Sequence, residues 1–382
     1  MSPYRPVKPR QWPASCVSQR KTDMRKKNLL PAITGMAVAL AFCSAAHAED
    51  KPRIPAGFFR LSAVARLPGA SPDWDYLGYD TKREHLFIAR RDDGLWVFDT
   101  RRSRLLARMP RSKGAGAALI LPELGRGYST NEDGSTTMFD LATLKVLRRA
   151  KFAEDADAAS FEPVTGRIAF VSADSQQVSF VDPRSLKLVG KVKLDTKKAD
   201  ASAADGQGNI LLNERDRDMI VRIDAASAKV TAEWPVTGCS QPTGMAVDTA
   251  RHRAFIGCRS AKPVLAVMNI DTGRVVQTLD IGHGNDGVTY DAARHRIITT
   301  NGIDANIVII HQDDADHYHF EQAITTRPEA RTMAYDSKNQ RIFTVTAEGV
   351  VNPAEKINTG PSKFYPNAYY DGSFVVLTYA AR

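Results

Sequence analysis

Aspartate, glutamate, asparagine, histidine and arginine recur along this 382-residue sequence at the ends of short apolar runs. One set precedes such runs: Trp74, Asp75, Asp157, Asp200, His283, Asn285, Asp286, Glu329 and Arg331. A second set follows the next run: Arg90, Arg91, Asn131, Asn213, Glu214, Arg215, Arg259, Asn301 and Glu348. Gathered in space, their carboxylate and amide oxygens are the donors a hard cation such as calcium takes, and such a cation can activate water for hydrolysis. Trp74 and Tyr76 beside Arg90, Arg91, Arg259 and Arg331 offer a different chemistry. Aromatic planes stack bases and guanidinium groups meet phosphate, as single-stranded nucleic acid requires. Asp75, Asp157, Asp200 and Asp286 oppose that reading, because they repel phosphate. Aspartate and asparagine are also ordinary turn formers, so the set gains meaning only if a frame brings it together.

Other motifs lack their structural context. Gly282-His-Gly-Asn-Asp-Gly287 fits G-x-G-x-x-G but precedes a strand and no helix, so it reads as a turn and not as a dinucleotide site. His317-Tyr-His319, close to Asp313, Asp314 and Asp316, has the donors for a transition metal, since positions i and i+2 share a strand face. It falls in the turn between a third and a fourth strand, away from the two sets above, and reads as surface decoration. The sequence has no G-x-S-x-G, C-x-x-C, P-loop or H-E-x-x-H.

The frame is a repeat. A strand ending in an acid recurs at Asp80, Glu123, Glu162, Asp205, Asp248, Asp291 and Asp336, with spacings of 43, 39, 43, 43, 43 and 45. A second phrase recurs at Asp99, Asp140, Asp182, Asp224, Asp271 and Asp313, with spacings of 41, 42, 42, 47 and 42. Two anchors sharing one period, with four short strands in each, are the signature of propeller blades. The sequence therefore predicts an all-β, seven-bladed β-propeller of four-stranded blades. The last blade lacks a fourth strand, and Phe59–Arg66 is an unassigned strand at the other end. That segment is expected to close the ring and remove an open edge.

The phrases Trp74-Asp-Tyr-Leu, Glu123-Leu-Gly-Arg-Gly-Tyr-Ser-Thr-Asn131, Cys239-Ser-Gln-Pro-Thr-Gly-Met-Ala-Val-Asp, Gly257-Cys-Arg259 and Ala330-Arg-Thr-Met-Ala resemble the YncE-like, YVTN-type propeller family. The resemblance runs from about Ile54 to the C-terminus. It implies the propeller fold and, through an association of that family with DNA, single-stranded DNA as a ligand. In a propeller, the loops that enter each inner strand and those that leave each second strand share one face. The two polar sets thus converge on the channel mouth. The expected function is a binding module with that mouth as its site, for a small ligand, a protein partner or single-stranded nucleic acid. The alternative is a metal-dependent, lactonase-type hydrolase on the same face.

The N-terminus sets the compartment. Residues 1–23 read as a mis-called start. Residues 24–48, with Met24-Arg-Lys-Lys, an uncharged run and Ala46-His-Ala48, read as a secretory signal peptide. The run is short for a membrane span and holds Pro31 and Gly35, so no stable membrane insertion is expected. Residues 49–382 then form a single periplasmic or secreted propeller domain, expected to be a monomer. That portion holds 44 basic and 42 acidic residues, so the basic character of the whole sequence lies in the leader and gives no general attraction to polyanions. Its two cysteines, Cys239 and Cys258, sit where an inner strand and its returning neighbour meet, and are expected to form a disulfide in an oxidising compartment. N-terminal sequencing of protein recovered from the periplasm should read Glu49-Asp-Lys-Pro. A chain retaining Phe42 would contradict the cleavage.

Overall fold

A computed structural model describes residues 55–69, 73–354 and 366–381. The leader and its cleavage site lie outside these residues. The described chain forms seven four-stranded antiparallel sheets arranged as a ring of blades, with one additional two-stranded hairpin. The inner strands are Leu77–Asp80, Ala115–Leu121, Ala158–Glu162, Ala199–Ala204, Pro242–Asp248, Asn285–Asp291 and Met333–Asp336, in blades one to seven. Each pairs with a second strand outside it, then a third and an outer strand. The second and third strands are buried on both faces because neighbouring blades cover both. The outer strands alternate exposed and half-buried residues, as one-sided strands do.

Blade seven is built from both ends of the described chain. Its inner and second strands, Met333–Asp336 and Arg341–Thr346, are followed by Val375–Ala381, and Phe59–Arg66 supplies the outer strand. Phe59 pairs with Ala381 and Arg66 with Val375, antiparallel. The closing strand is also tied to blade six: the Gln322 amide accepts from the Phe59 N–H at 2.9 Å and donates to the Phe59 carbonyl at 2.8 Å.

The repeated acids explain the period. Asp80 accepts the N–H groups of Lys82 and Arg83, and Asp248 those of Ala250 and Arg251. Glu162 does the same for Val164 and Thr165. At the third strand, Asp99, Asp140 and Asp182 each accept two turn amides. These are side-chain-closed turns, which fix where one strand ends and the next begins. Three of the repeated acids do not close a turn in this way. Glu123 does not fold back; it is exposed and pairs with Lys82 at 2.8 Å. In blade five the turn acceptor is Asn269, not Asp271, and in blade six it is Asp314, not Asp313. Asparagine serves as well as aspartate because the turn needs only the oxygen.

The same acids staple neighbouring blades. The Tyr79 hydroxyl of blade one donates to Asp336 of blade seven at 3.0 Å, and Tyr335 of blade seven donates to Asp291 of blade six at 2.7 Å. Arg341 donates to Asp336 at 2.7 Å and to Glu84 of blade one at 2.6 Å. The Tyr79–Asp336 and Arg341–Glu84 bonds cross the seam between blades seven and one, and the Tyr335–Asp291 bond ties blade seven to blade six. Each is a hydrogen bond to a charged, partly buried acceptor, the stronger kind. Tyr335→Phe should therefore lower unfolding free energy by about 1–2 kcal/mol, read as a lower urea midpoint with an unchanged slope. An unshifted midpoint would show that the staple is not stabilising.

Candidate functional site

The mouth is set by side-chain hydrogen bonds to backbone carbonyls of neighbouring blades. The Thr130 hydroxyl of blade two donates to the Asp157 carbonyl of blade three at 3.2 Å, and the Asn213 amide of blade four to the Thr243 carbonyl of blade five at 2.7 Å. Thr332 of blade seven donates to the Asp75 carbonyl at 3.0 Å. Each ties one blade to the entry of a neighbour, so the residues at those entries are held on rigid elements.

At the centre, charges from different blades interlock. Asp286 Oδ1 lies 2.7 Å from Arg259 Nη2, and its Oδ2 lies 3.2 Å from Arg331 Nε. Arg259 also donates to the Asn285 carbonyl at 2.5 Å, and Arg331 to the Trp74 carbonyl at 2.7 Å. Arg91 pairs with Asp75. Tyr76 donates to Asp200 at 2.7 Å, and Arg215 stands 3.7 Å from the same carboxylate. Burial pushes the Asp75 carboxyl up to about 7, with Arg91 pulling it back and Asp286 adding repulsion. Asp200 is raised by burial and then by Asp286. Tyr76 is raised well above the ordinary phenol range, by burial first and then by Asp200. Beneath this lid lies a cavity of about 180 Å³, lined by small and apolar residues from all seven inner strands, among them Leu77, Ala117, Ala158, Ala201, Gly244, Val288 and Met333.

A second feature of the same face spans blades one to three. A pocket of about 700 Å³ is lined by Asp73, Asp92, Glu132, Glu154, Asp155, Asp157 and Asp174, with Arg91 as its one cationic residue. Asp157 is raised well above the carboxylate range, by burial and then by Asp155 beside it. Of these, only Asp157 and Arg91 belong to the two polar sets that precede and follow the apolar runs. Three of the others stand next to members of those sets in sequence: Asp73 precedes Trp74, Asp92 follows Arg91 and Glu132 follows Asn131. Net charge summed loop by loop would have found the pocket.

Eight residues expected at the mouth are instead closed into the frame, Asn131 and Asn213 among them, both fully buried and hydrogen-bonded within it. Trp74 is 1% exposed and packs on Tyr369 and Phe374, with ring centres 5.8 and 5.6 Å away. It fills the space between blades and offers no stacking platform. Arg90 is fully buried, its guanidinium 3.7 Å from the Phe374 ring centre and 4.3 Å from that of Trp96. Asn285 bonds the Gly287 and Thr300 carbonyls and the Asn301 side chain, and Asn301 bonds Thr299 and Asn306. Glu214 is buried against Arg217 at 2.5 Å. Glu329 is 1% exposed and accepts from Tyr369. These positions look polar in sequence because the frame spends polar side chains on its own backbone groups. His283 is half-exposed on the rim, paired with Asp304 at 2.9 Å. The cysteines meet as expected: Cys239 and Cys258 form a disulfide with Cα atoms 5.5 Å apart. For the metal reading, the mouth carboxylates are held by arginines and by Tyr76, and among the described residues no group of three His, Cys, Asp or Glu side chains stands ready around a metal ion.

Comparison with known proteins bears on the fold. No family model and no curated protein matches the chain. Solved structures do. The chain is similar to one from the mitotic checkpoint complex, with 14% identity, 81% of this chain and 95% of that one covered, and a TM-score of 0.66. It is also similar to the RRP9 WD40 repeats, with 10% identity, 85% and 100% covered, and a TM-score of 0.67. The fold is that of a seven-bladed β-propeller. Among the described residues no helix is long and apolar enough to cross a membrane.

Glu329 gives a direct test of the buried charge. Burial pushes its carboxyl up to about 7, against the pull of the Tyr369 hydrogen bond and of Arg331. Between the ordinary glutamate range and that value the folded chain holds a proton the unfolded chain has lost, so stability falls as pH rises. Glu329→Gln mimics the protonated form. It should leave the melting temperature nearly unchanged at pH 5 and raise it at pH 8, by an amount equivalent to about 1–3 kcal/mol. A thermal melt series from pH 5 to 8 with parallel curves for both proteins would refute this.

Proposed function

We propose that this chain is an exported, non-catalytic binding propeller whose mouth face takes a cationic ligand in the pocket between blades one and three. The observation that carries the reading is the lining of that pocket, seven carboxylates against one guanidinium. Concave loops on a rigid frame are where binding sites concentrate. A propeller is also commonly an interaction scaffold. Export is supported by the leader sequence and by the disulfide between Cys239 and Cys258. The likeness to YncE-like propellers rests on the sequence phrases and agrees with the fold.

The geometry disfavours single-stranded DNA. Trp74 is buried, and Arg91, Arg259 and Arg331 are engaged by Asp75 and Asp286. Phosphate approaching this face would meet the acidic pocket. For the hydrolase reading, the central carboxylates Asp75, Asp200 and Asp286 are already held by arginines and a tyrosine, and the acids of the pocket form no group of three ready for a metal among the described residues.

Fluorescence anisotropy with a labelled lysine-rich peptide and, separately, a labelled single-stranded oligonucleotide distinguishes the readings. The peptide should bind and weaken with salt, as a multivalent ionic contact does. Its affinity should rise from pH 6 to pH 8, because the raised carboxyl of Asp157 in that pocket must ionise to meet a cation. Asp155→Asn with Asp174→Asn should weaken it about tenfold, the effect of about 1.4 kcal/mol. Binding of the oligonucleotide and not of the peptide would overturn the reading.

A further inference from the structure

Away from the mouth, the turn between the third and outer strands of blade six gathers imidazoles and carboxylates. His311 and His319 are direct partners in the antiparallel register of Asn306–Gln312 with Tyr318–Thr325. Directly opposite residues project from the same face of a sheet. The two rings stand 5.1 Å apart, centre to centre. Two imidazoles bonded to one tetrahedral zinc at about 2.0–2.1 Å hold their ring centres roughly 5 Å apart. Asp313 Oδ2 lies 2.9 Å from His319 Nδ1, and its Oδ1 lies 4.0 Å from His311 Nε2. A carboxylate on one ring nitrogen fixes the imidazole and leaves the other nitrogen for a metal, the usual outer-shell arrangement of metal-binding histidines.

The turn that carries these groups is braced. Arg253 of blade five donates to the Ala315 carbonyl at 3.0 Å and to Asp316 at 2.8 Å. Tyr318 donates to the same carbonyl at 2.7 Å, and Asp314 accepts the N–H groups of Asp316 and His317. The donors are also reachable, with side-chain exposures of 33% for His311, 46% for Asp313 and 56% for His319.

We propose that His311 and His319, with Asp313 orienting the second ring, bind a divalent transition metal of the imidazole-preferring class, represented by zinc. This site is independent of the mouth. It revises the surface-decoration reading of His317-Tyr-His319, because the partner of His319 is the cross-strand His311 and not the nearby His317, which pairs with Asp314 at 2.9 Å. As the side chains stand, no three donors converge on one point among the described residues. Rotation of the exposed His319 ring and the half-buried His311 ring about their side-chain torsions, with water completing the tetrahedron, is the change that binding requires.

Zinc chloride titrated into the purified protein, followed by the imidazole resonances of histidine-labelled chain, should shift His311 and His319 together. Calorimetry should give one such site. His311→Ala and His319→Ala should each weaken zinc about tenfold or more while leaving the melting curve in place. His252→Ala, on blade five, should leave zinc affinity unchanged. Unmoved His311 and His319 resonances, or a zinc affinity that both substitutions leave intact, would overturn the assignment.

Discussion

A sheet has edges, and an unpaired edge is a row of unmet hydrogen-bonding groups. This constraint organises the whole molecule. Seven blades can bury one another's faces only if the ring closes, and it closes when Phe59–Arg66 pairs with Val375–Ala381. The two ends of the described chain thus meet in one sheet. The seam is then reinforced on both faces of the ring. Tyr79, Arg341 and Asp336 bridge it on one side, and Thr332 with Asp75 on the other. The covalent order of the chain runs through six blades, and the seventh is made by non-covalent pairing.

The two faces of the ring use the same residue types for different ends. On the turn side, carboxylates accept backbone amides; at Asp99 burial pushes the carboxyl up, but the hydrogen bonds from Arg102 and the turn amides outweigh it and hold the group below its usual range. At the mouth, carboxylates have fewer amide donors and more carboxylate neighbours. Burial and mutual repulsion dominate, and Asp75 and Asp157 rise. An aspartate is therefore a strut on one face and a poised charge on the other. What separates the two roles is the number of N–H groups aimed at it.

This difference also sets what was legible in the sequence. Strand-ending acids and their period are local features, so the blade count, the closing strand and the disulfide could be read directly. Whether a polar residue is spent on the frame is not local. Asn285 and Asn301 look like mouth residues, yet each is consumed by carbonyls brought in by the fold. Trp74 looks like a stacking plane until Tyr369 and Phe374 arrive from the other end of the sequence. The acidic pocket needs loops of three blades at once. The pairing of His311 with His319 needs the register of a turn. In each case the missing information is a contact between residues distant along the chain or a strand alignment, and periodicity supplies neither.

The position of the disulfide carries one more implication. Cys258 is the residue before Arg259, and the Arg259 N–H donates to the Gln241 carbonyl, two residues past Cys239. The covalent loop therefore anchors the backbone from which a guanidinium reaches Asp286 of the adjoining blade. Because the bond lies within blade five, losing it would leave the ring's connectivity as it is and loosen the anchor of one lid residue. The oxidation state of this pair thus bears on how firmly that guanidinium is tethered. Two molecules with the same sequence and the same blades, one oxidised and one not, would present different tethers to whatever approaches.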